Sequence, residues 1–255
     1  MTKIKFSQAA TALLNRRKAG TKMPRLADDI RPNSSDDALQ IQQQMIAKRL
    51  DQVGGWKCLQ PLGKDQFILA PIFVDTIQRG TQCFLFADDA LALVEPEITF
   101  ILGEDLPAQQ KDYSEAQIDA AIASCHMALE LIQHRFADHN CVSFYEKLAD
   151  GLANQGLFIG PEINKSQAYA ASQIEISFKQ GEQCQQFTAK HPNTLPQNPL
   201  YWLINFMSKR GTGFKAGQAI ITGSYAGVVK VEFDQVTKIN YKNMGKCSVE
   251  FKAIK

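Results

Sequence analysis

Two glutamates that flank a single proline are the residues of this sequence that most clearly could do chemistry. Glu95 and Glu97 lie in the apolar segment 93–102, whose β-branched and aromatic side chains predict a strand. Successive side chains of a strand alternate between its faces, so both carboxylates project from the same face. Adjacent like charges repel, and a divalent cation that prefers oxygen ligands would remove that repulsion. The alternative is a solvated face of an edge strand, a position that would tolerate Pro96.

The composition of the chain limits the classes of protein to which it can belong. Its 255 residues are 45% hydrophobic and 21% charged, as is typical of a globular protein. The net charge of +2 gives no electrostatic reason to expect a nucleic-acid or membrane partner. No apolar run reaches the roughly 18 residues of a membrane-spanning helix, and the first residues lack the apolar segment of a signal peptide. We therefore expect a cytoplasmic protein.

The cysteines and histidines do not form a recognisable zinc site. None of the six cysteines belongs to a Cys-x-x-Cys pair, and the four histidines lack the spacing of zinc proteases. In a reducing compartment the cysteines are expected to be free thiols that fill small apolar spaces.

The first fifty or so residues predict two helices. Residues 7–19 include two adjacent leucines and stop at Gly20, a good helix terminator. A second helix is expected to begin after Ser34 or Ser35, either of which can cap it. We expect this helix to end at Gly54-Gly55.

The remainder of the chain is richer in strand patterns. The predicted elements are a helix at residues 114–125, an ambiguous helix or strand at 128–132, a helix from Asn198-Pro199 to Gly211, and strands at 218–223 and 227–233. The sequence therefore predicts a helical N-terminal region, residues 1–53, packed on a β-rich catalytic domain, residues 54–255. We expect the two to form a single structural unit.

Several motifs are specific when their order and spacing are taken together. In chain order they are Gly55-Trp56-Lys57, residues 70–75 ending in Asp75, Glu95-Pro96-Glu97 with Asp105-Leu106-Pro107 behind it, residues 128–132 with Arg135, Leu148-Ala149-Asp150, and Ile221-Thr222-Gly223. This set resembles the 2-keto-4-pentenoate hydratase and 4-oxalocrotonate decarboxylase family, within the fumarylacetoacetate hydrolase superfamily, along nearly the whole chain. The resemblance implies an α+β fold, the β-rich mixed sandwich or roll of the superfamily's C-terminal type.

The resemblance also implies a metal site with acid–base residues beside it. Glu95, Glu97 and Glu130 would hold one Mg²⁺ or Mn²⁺ ion and leave positions open for water and substrate. Lys57 would be a nearby cation or proton donor and Asp75 a proton acceptor, close enough together for both to stay charged. Without the resemblance, we would interpret Lys57 as a surface lysine and Asp75 as a solvated turn residue.

The expected substrate pocket departs from the family pattern. The residues expected to bind substrate are Leu59, Asp150, Ala153, Thr222 and Gly223. Leu59 stands where the family usually has glycine, which adds bulk where the backbone normally approaches the substrate. Ala153 stands where the family has a polar serine, and Asn198 replaces a histidine before Pro199. The metal site is therefore expected to be intact while the pocket is altered, which indicates a different substrate or lost activity.

The resemblance leaves four functions open. The favoured one is a metal-dependent lyase acting on a small unsaturated 2-oxo or 2-hydroxydienoic acid, most simply the hydration of 2-hydroxypenta-2,4-dienoate to a 4-hydroxy-2-oxo acid. Decarboxylation of a 4-oxalocrotonate-type acid would need a cation for the second carboxylate, to which Lys57, Arg135 or Lys165 could contribute. Hydrolysis of an acylpyruvate would need a His-Glu base, which is not evident. The last alternative is an inactive partner protein. The family also implies a homo-oligomer, or a complex with a related enzyme.

Overall fold

The computed structural model describes residues 2–63, 66–138 and 140–254, which form six helices and thirteen strands. The helices are α1 (Lys3–Ala19), α2 (Ser35–Lys48), α3 (Glu115–Ala121), α4 (Phe144–Ala149), α5 (Lys165–Tyr169) and α6 (Gln197–Ser208). The strands are β1 (Val53–Gly63), β2 (Gln66–Phe73), β3 (Ile77–Gln78), β4 (Gln82–Leu85), β5 (Ala92–Leu102), β6 (Ile122–Ile132), β7 (Asn154–Ile163), β8 (Gln173–Gln180), β9 (Gln183–Lys190), β10 (Ala219–Ile221), β11 (Val229–Val231), β12 (Val236–Tyr241) and β13 (Gly245–Ala253). Short three-ten turns cover Asp28–Ile30 and Val74–Thr76.

The strands form two mixed sheets. The first contains β2, β1, β10, β5, β6, β7 and β3 in that order, and β11 also pairs with β5. The second has the order β4, β13, β12, β8, β9. Parallel pairs, such as β1 with β10 and β4 with β13, occur beside antiparallel ones. The first sheet curls into a half-barrel, and this architecture confirms the predicted α+β fold.

The inner face of the half-barrel has its own apolar cluster, separate from the main core. Its fully buried members come from β2, β6, β7 and β10: Ile72, Ala128, Leu157, Ile159, Ala219 and Ile221. Glu130 lies two residues from Ala128 on β6, and Lys57 on β1 is paired with Ile221 of β10, so both project to the same side as this cluster. The sheet therefore directs charged side chains into an otherwise apolar interior.

The N-terminal helices pack together and onto the first sheet. α1 contacts α2, and α2 contacts both β2 and α4. As predicted, α1 ends at Gly20, whose φ of 62° is the left-handed conformation that glycine adopts readily. Ser34 caps α2 by accepting a hydrogen bond from the Asp37 N–H. The division of the chain after residue 53 stays a prediction. None of the described helices is long and apolar enough to cross a membrane.

The second helix is shorter than predicted. α2 ends at Lys48, and Gly54-Gly55 belongs to β1 instead of terminating the helix. A Cβ on Gly55 would lie 2.3 Å from the carbonyl oxygen of Ala219 on β10. The glycine therefore permits the close approach of two parallel strands, a requirement that a local sequence pattern does not reveal.

The helix predicted at residues 114–125 is also shorter. α3 has the expected Ser114 cap, in a capping box with Gln117, but it ends at Ala121. β6 begins at the next residue and includes the ambiguous segment 128–132. It pairs with β5 on one side and β7 on the other, and this tertiary pairing overrides the local helix preference.

The C-terminal elements agree more closely with the sequence. α6 includes the predicted Asn198-Pro199 start, although it begins at Gln197 and ends at Ser208. The segments 218–223 and 227–233, which were predicted to be strands, contain β10 and β11.

The edge-strand interpretation of the Glu-x-Glu segment is wrong, because β5 lies in the middle of the first sheet. β11 pairs with β5 at residues 92–94 and β10 pairs with it at residues 99–101, which leaves a gap on that side. Pro96 lies in the gap, and its carbonyl accepts a hydrogen bond from the Tyr225 N–H at 3.2 Å. A proline fits here because its missing N–H faces a gap and not a paired strand.

We expect Gly55→Ala to destabilise the protein by about 3 kcal/mol, because the new methyl group meets backbone that can move only with its strand. Gly80→Ala is the matched control, since Gly80 has a φ of 107° but open space around it. That variant should lose only about 1–2 kcal/mol, the cost of the left-handed backbone for a residue with a Cβ. Denaturant unfolding of both variants tests this, and equal losses would contradict the tight contact between β1 and β10.

Candidate metal centre and substrate cavity

Three glutamates meet on the inner face of the first sheet. Glu95 and Glu130 stand directly opposite each other in the antiparallel pair of β5 and β6. Glu97 lies two residues along the same face of β5. One carboxylate oxygen of each glutamate lies within 4.8 Å of the others. Glu97 and Glu130 are buried and Glu95 is partly exposed, so the cluster opens on the side of Glu95.

Fixed donors hold two of the three carboxylates. The Gly223 N–H donates to Glu97 Oε2 at 2.6 Å. Lys57 Nζ donates to Glu130 Oε1 at 2.5 Å, and Asn154 Nδ2 donates to the same oxygen at 2.9 Å. Glu130 Oε2 is buried and has no hydrogen-bond partner among the described residues. Since buried polar atoms are normally satisfied, this oxygen is available to a ligand.

The crowding of these groups shifts their protonation. Burial, together with the facing Glu130 carboxylate, raises the pKa of Glu95 to about 7. Burial and both neighbouring glutamates raise the pKa of Glu97 well above its ordinary value. Burial alone would lower the pKa of Lys57, but the surrounding carboxylates outweigh it, and the pKa rises. Lys57 is therefore a cation at neutral pH, while Glu95 and Glu97 resist ionisation together.

The arrangement can hold a divalent cation. Three ionised carboxylates and the Lys57 ammonium have a formal net charge of −2, which a dication would neutralise. The donor set consists of carboxylate oxygens, the ligands that Mg²⁺ and Mn²⁺ prefer. Such an ion would also give a partner to the unpaired Glu130 Oε2. The residues present therefore fit a hard divalent metal ion.

Backbone pairing places Lys57, and the second sheet supports the site from behind. Lys57 lies on β1 opposite Ala70 of β2 and Ile221 of β10, and only 7% of its surface is exposed. Tyr241, which ends β12, is fully buried, and its hydroxyl lies 3.0 Å from the Ala128 carbonyl and 3.2 Å from the Glu97 carbonyl. The strands that carry the glutamates are thus held from both sheets.

A cavity of about 230 Å³ borders Glu95. Its polar walls are Glu95, His134, Arg135, Lys147 and Asp150, and its other walls are Ile132, Phe136, Leu152, Ala153 and Val228. Two of the residues expected to bind substrate, Asp150 and Ala153, therefore line a cavity beside the glutamates. The volume suits a small organic acid, and the mixed lining suits one with a short hydrocarbon chain.

Asp150 has structural partners. Both of its carboxylate oxygens accept hydrogen bonds from Arg135 Nε at 3.0 Å, and its backbone carbonyl accepts from Arg17 Nη2 at 2.7 Å. Arg135 is fully buried, and burial lowers the pKa of Arg17 to about 9. These contacts hold the loop that follows α4 in place, so Asp150 shapes the cavity through the pair with Arg135.

The other three residues expected to bind substrate lie beside Glu97, outside the described lining of the cavity. Gly223 has a φ of 120°, and a Cβ there would lie 2.4 Å from Leu59 Cδ2. Leu59 therefore packs directly against this glycine, and the bulk predicted from the sequence is present at this point. Thr222 is 1% exposed. It connects the end of β10 to Gly223, whose N–H donates to Glu97.

Asp75 does not join the site. It lies in the three-ten turn after β2, where its carboxylate accepts a hydrogen bond from Arg49 Nη2 at 2.6 Å. Its side chain is 59% exposed. The expected contact between Lys57 and Asp75 is not formed, because Lys57 pairs with Glu130 and the turn carries Asp75 to the surface.

Asn154 is a site residue that was not among the predicted site residues. It begins β7 and is 1% exposed, and its side-chain amide fixes Glu130. It follows Gly151, Leu152 and Ala153, which all have positive φ. In the sequence, Gly151 indicates a turn. The direction of the Asn154 side chain, however, depends on left-handed conformations at Leu152 and Ala153, which are uncommon for these residue types.

Known proteins match this chain over 99% of its length. No family model matches the sequence. A 2-keto-4-pentenoate hydratase from Paraburkholderia xenovorans (strain LB400) is 25% identical over 264 residues, which cover 99% of this chain and 97% of the hydratase. The chain is thus similar to 2-keto-4-pentenoate hydratases over almost its whole length. This finding confirms the resemblance that the motifs indicated, and with it the expectation of an enzyme related to these hydratases.

Solved structures show the same fold. The 4-oxalocrotonate decarboxylase from Pseudomonas putida G7, complexed with magnesium and adipate, superposes with a TM-score of 0.81 at 15% identity and covers 99% of each chain. The fumarylpyruvate hydrolase from Pseudomonas aeruginosa, in complex with Mn²⁺ and pyruvate, has a TM-score of 0.55 at 12% identity and covers 81% of this chain and 93% of its own. At these identities the likeness establishes the fold alone.

We expect the metal-free protein to lose stability as the pH rises from about 4.5 to above 7. The folded-state pKa of Glu95, about 7, exceeds its ordinary value, so the folded state holds this proton more tightly than the unfolded state. The resulting stabilisation is complete below pH 4.5 and is lost as the pH rises through 7, and Glu97 acts in the same direction. Melting temperatures of chelator-treated protein between pH 5 and pH 8 measure this.

Glu95→Gln should flatten the pH dependence, whereas Glu162→Gln, at an exposed position on β7, should leave it unchanged. Added Mg²⁺ should raise the melting temperature more at pH 8 than at pH 5, because the metal competes with protons for the carboxylates. An identical pH profile in Glu95→Gln and the unmodified protein would contradict the strained carboxylate cluster.

Proposed function

We propose that this protein is a divalent-metal-dependent lyase that acts on a small unsaturated 2-oxo or 2-hydroxydienoic acid. Its simplest reaction is the hydration of 2-hydroxypenta-2,4-dienoate to a 4-hydroxy-2-oxo acid. The observation that carries the proposal is the cluster of Glu95, Glu97 and Glu130, with a buried Lys57 at its base and a small cavity at its open side. The relationship to hydratases over 99% of the chain supports the same class of reaction.

The three glutamates are the proposed ligands of Mg²⁺ or Mn²⁺. When bound, the metal ion would supply Lewis acidity at the carboxylate and 2-oxo oxygens of the substrate. The chain holds two of the ligands in advance, since the Gly223 N–H fixes Glu97 and Asn154 fixes Glu130. Such outer contacts orient the ligand oxygens and reduce the rearrangement that binding requires.

Lys57 is the proposed proton donor of the site. Its ammonium gives one hydrogen bond to Glu130 and has two more protons to offer. In the hydration, the 2-hydroxyl group loses its proton, C5 gains one, and water adds to C4 with its second proton going to C3. The net change is the addition of one water molecule. A buried ammonium beside the 2-oxo oxygen would stabilise negative charge there and could return the proton to carbon.

The residue that accepts the 2-hydroxyl proton is not Asp75 in the described arrangement, because Asp75 is paired with Arg49 at the surface. Glu95 borders the cavity, but as a metal ligand it would stay ionised, because a bound dication lowers the pKa of a carboxylate that it contacts.

Carbon–carbon bond hydrolysis is less well supported than hydration. That reaction needs a water-activating base, and His134 is the histidine that lines the described cavity. Its backbone N–H and ring Nδ1 both contact Asp88, at 2.7 and 2.9 Å.

Decarboxylation remains the second candidate. The chain superposes on a 4-oxalocrotonate decarboxylase over 99% of both chains. The same cluster of glutamates and metal ion could stabilise the negative charge that departing carbon dioxide leaves on the substrate.

We expect metal-stripped protein to leave the ultraviolet absorbance of 2-hydroxypenta-2,4-dienoate unchanged, and added Mg²⁺ or Mn²⁺ to cause its loss. Lys57→Met should lower kcat by about 100-fold or more, the range found when a positioned proton donor is removed. Glu97→Gln should lose activity together with metal binding, which titration calorimetry measures directly. Lys238→Met, at an exposed position on β12 in the second sheet, should behave as the unmodified protein does.

Full activity without a divalent ion, or full activity in Glu97→Gln, would exclude the proposed metal chemistry. Metal binding without turnover of this substrate, or of its 4-oxalocrotonate-type counterpart, would instead favour the inactive partner protein.

A further inference from the structure

Lys147 is a cation at the cavity that the proposed hydration leaves unused. It lies in the last turn of α4 and is half-buried, and it borders the same cavity as Glu95. Its ammonium makes no hydrogen bond or ion pair with any of the described residues. This ammonium is therefore available to an anionic group of a ligand.

The other charged groups of the cavity wall already have partners. Arg135 is paired with Asp150, and His134 with Asp88. Once Glu95 is assigned to the metal centre, the charged residues left in the lining are Arg135, Lys147 and Asp150, with a formal net charge of +1. The Nη1 atom of Arg135 is also buried and has no partner in the described part of the chain. Apart from Glu95, the lining therefore has an excess of positive charge and of hydrogen-bond donors.

The backbone of Lys147 is held firmly while its amine stays free. α4 begins with a capping box between Ser143 and Glu146, and Glu146 also accepts a hydrogen bond from Arg25 Nη2 at 2.5 Å. The Lys147 carbonyl accepts a hydrogen bond from the Leu152 N–H at 2.7 Å. A fixed main chain with an amine that has no partner among the described residues suits the recognition of an anionic ligand group more than a structural role.

We propose that Lys147 selects substrates with a second carboxylate, at the end of the chain remote from the 2-oxo acid group. This inference rests on the proposed function, and it narrows the substrate class from 2-oxo acids in general to dicarboxylic ones. The apolar walls Ile132, Phe136, Leu152 and Val228 suit the hydrocarbon chain between the two acid groups. The partner of Lys147 is then a carboxylate, held by a charge-assisted hydrogen bond.

The test compares two unreactive ligands that differ only in the second carboxylate, 2-oxoadipate and 2-oxohexanoate. Calorimetry with Mg²⁺-loaded protein should give about tenfold tighter binding of 2-oxoadipate, as expected for one charge-assisted contact in a partly exposed site. Lys147→Met should remove this preference by weakening 2-oxoadipate binding alone, and Lys147→Arg should keep it. Lys238→Met is the matched control, and melting temperatures establish that all variants are folded.

Turnover gives a second readout. With 2-hydroxyhexa-2,4-dienedioate, Lys147→Met should raise KM about tenfold and leave kcat nearly unchanged, because the contact is made equally in the ground state and the transition state. With 2-hydroxypenta-2,4-dienoate it should change neither. Equal binding of the two 2-oxo acids by the unmodified protein, or a preference that survives Lys147→Met, would overturn the role of Lys147 and leave the lyase proposal intact. Failure of the Mg²⁺-loaded protein to bind either acid would overturn both.

Discussion

The site depends on one electrostatic constraint, the burial of three carboxylates beside a single lysine. Repulsion and loss of hydration raise the pKa values of Glu95 and Glu97, so the cluster is unfavourable in its fully ionised form. The Gly223 N–H, Asn154 and Lys57 reduce this cost but leave a formal charge of −2. The rigid strands keep the acids together in spite of it. Such a fold stores unfavourable energy that protons release at low pH and that a dication can release at neutral pH, and metal affinity arises from that difference.

Sequence reasoning located part of this cluster from local geometry alone. Glu95 and Glu97 share a face because alternation is a property of any strand, and β5 is a strand as predicted. Glu130 could be added only through the resemblance, because its position depends on the register of β6 against β5. Lys57 likewise reaches the site through the pairing of β1 with β10. Long-range pairing is absent from any local pattern, so these residues could be assigned roles but not positions.

The elements that were predicted wrongly have the same cause. The capping box at Ser114 starts a helix as expected, but pairing of β6 on both sides ends that helix at Ala121. Gly54-Gly55 resembles a helix stop, yet the lack of a side chain at Gly55 is required by the backbone of β10. Asp75 matches a motif in sequence, but its position after a tight turn pairs it with Arg49 at the surface. A motif identifies the type of residue at a position, whereas the role of that residue depends on where the chain turns.

The loop at residues 151–153 links the two ends of the cavity. All three of its residues have positive φ, which costs of order 1 kcal/mol or more for each non-glycine residue. The N–H of Leu152 holds the carbonyl of Lys147, and the carbonyl of Ala153 accepts from the Gln133 N–H at 2.9 Å. The next residue, Asn154, holds Glu130. One strained turn thus fixes both the helix that carries the free cation and the amide that orients a carboxylate of the cluster. Ala153 keeps this frame but has no hydrogen-bonding side chain to offer, so the proposed recognition of a substrate at the Lys147 end of the cavity relies on charge.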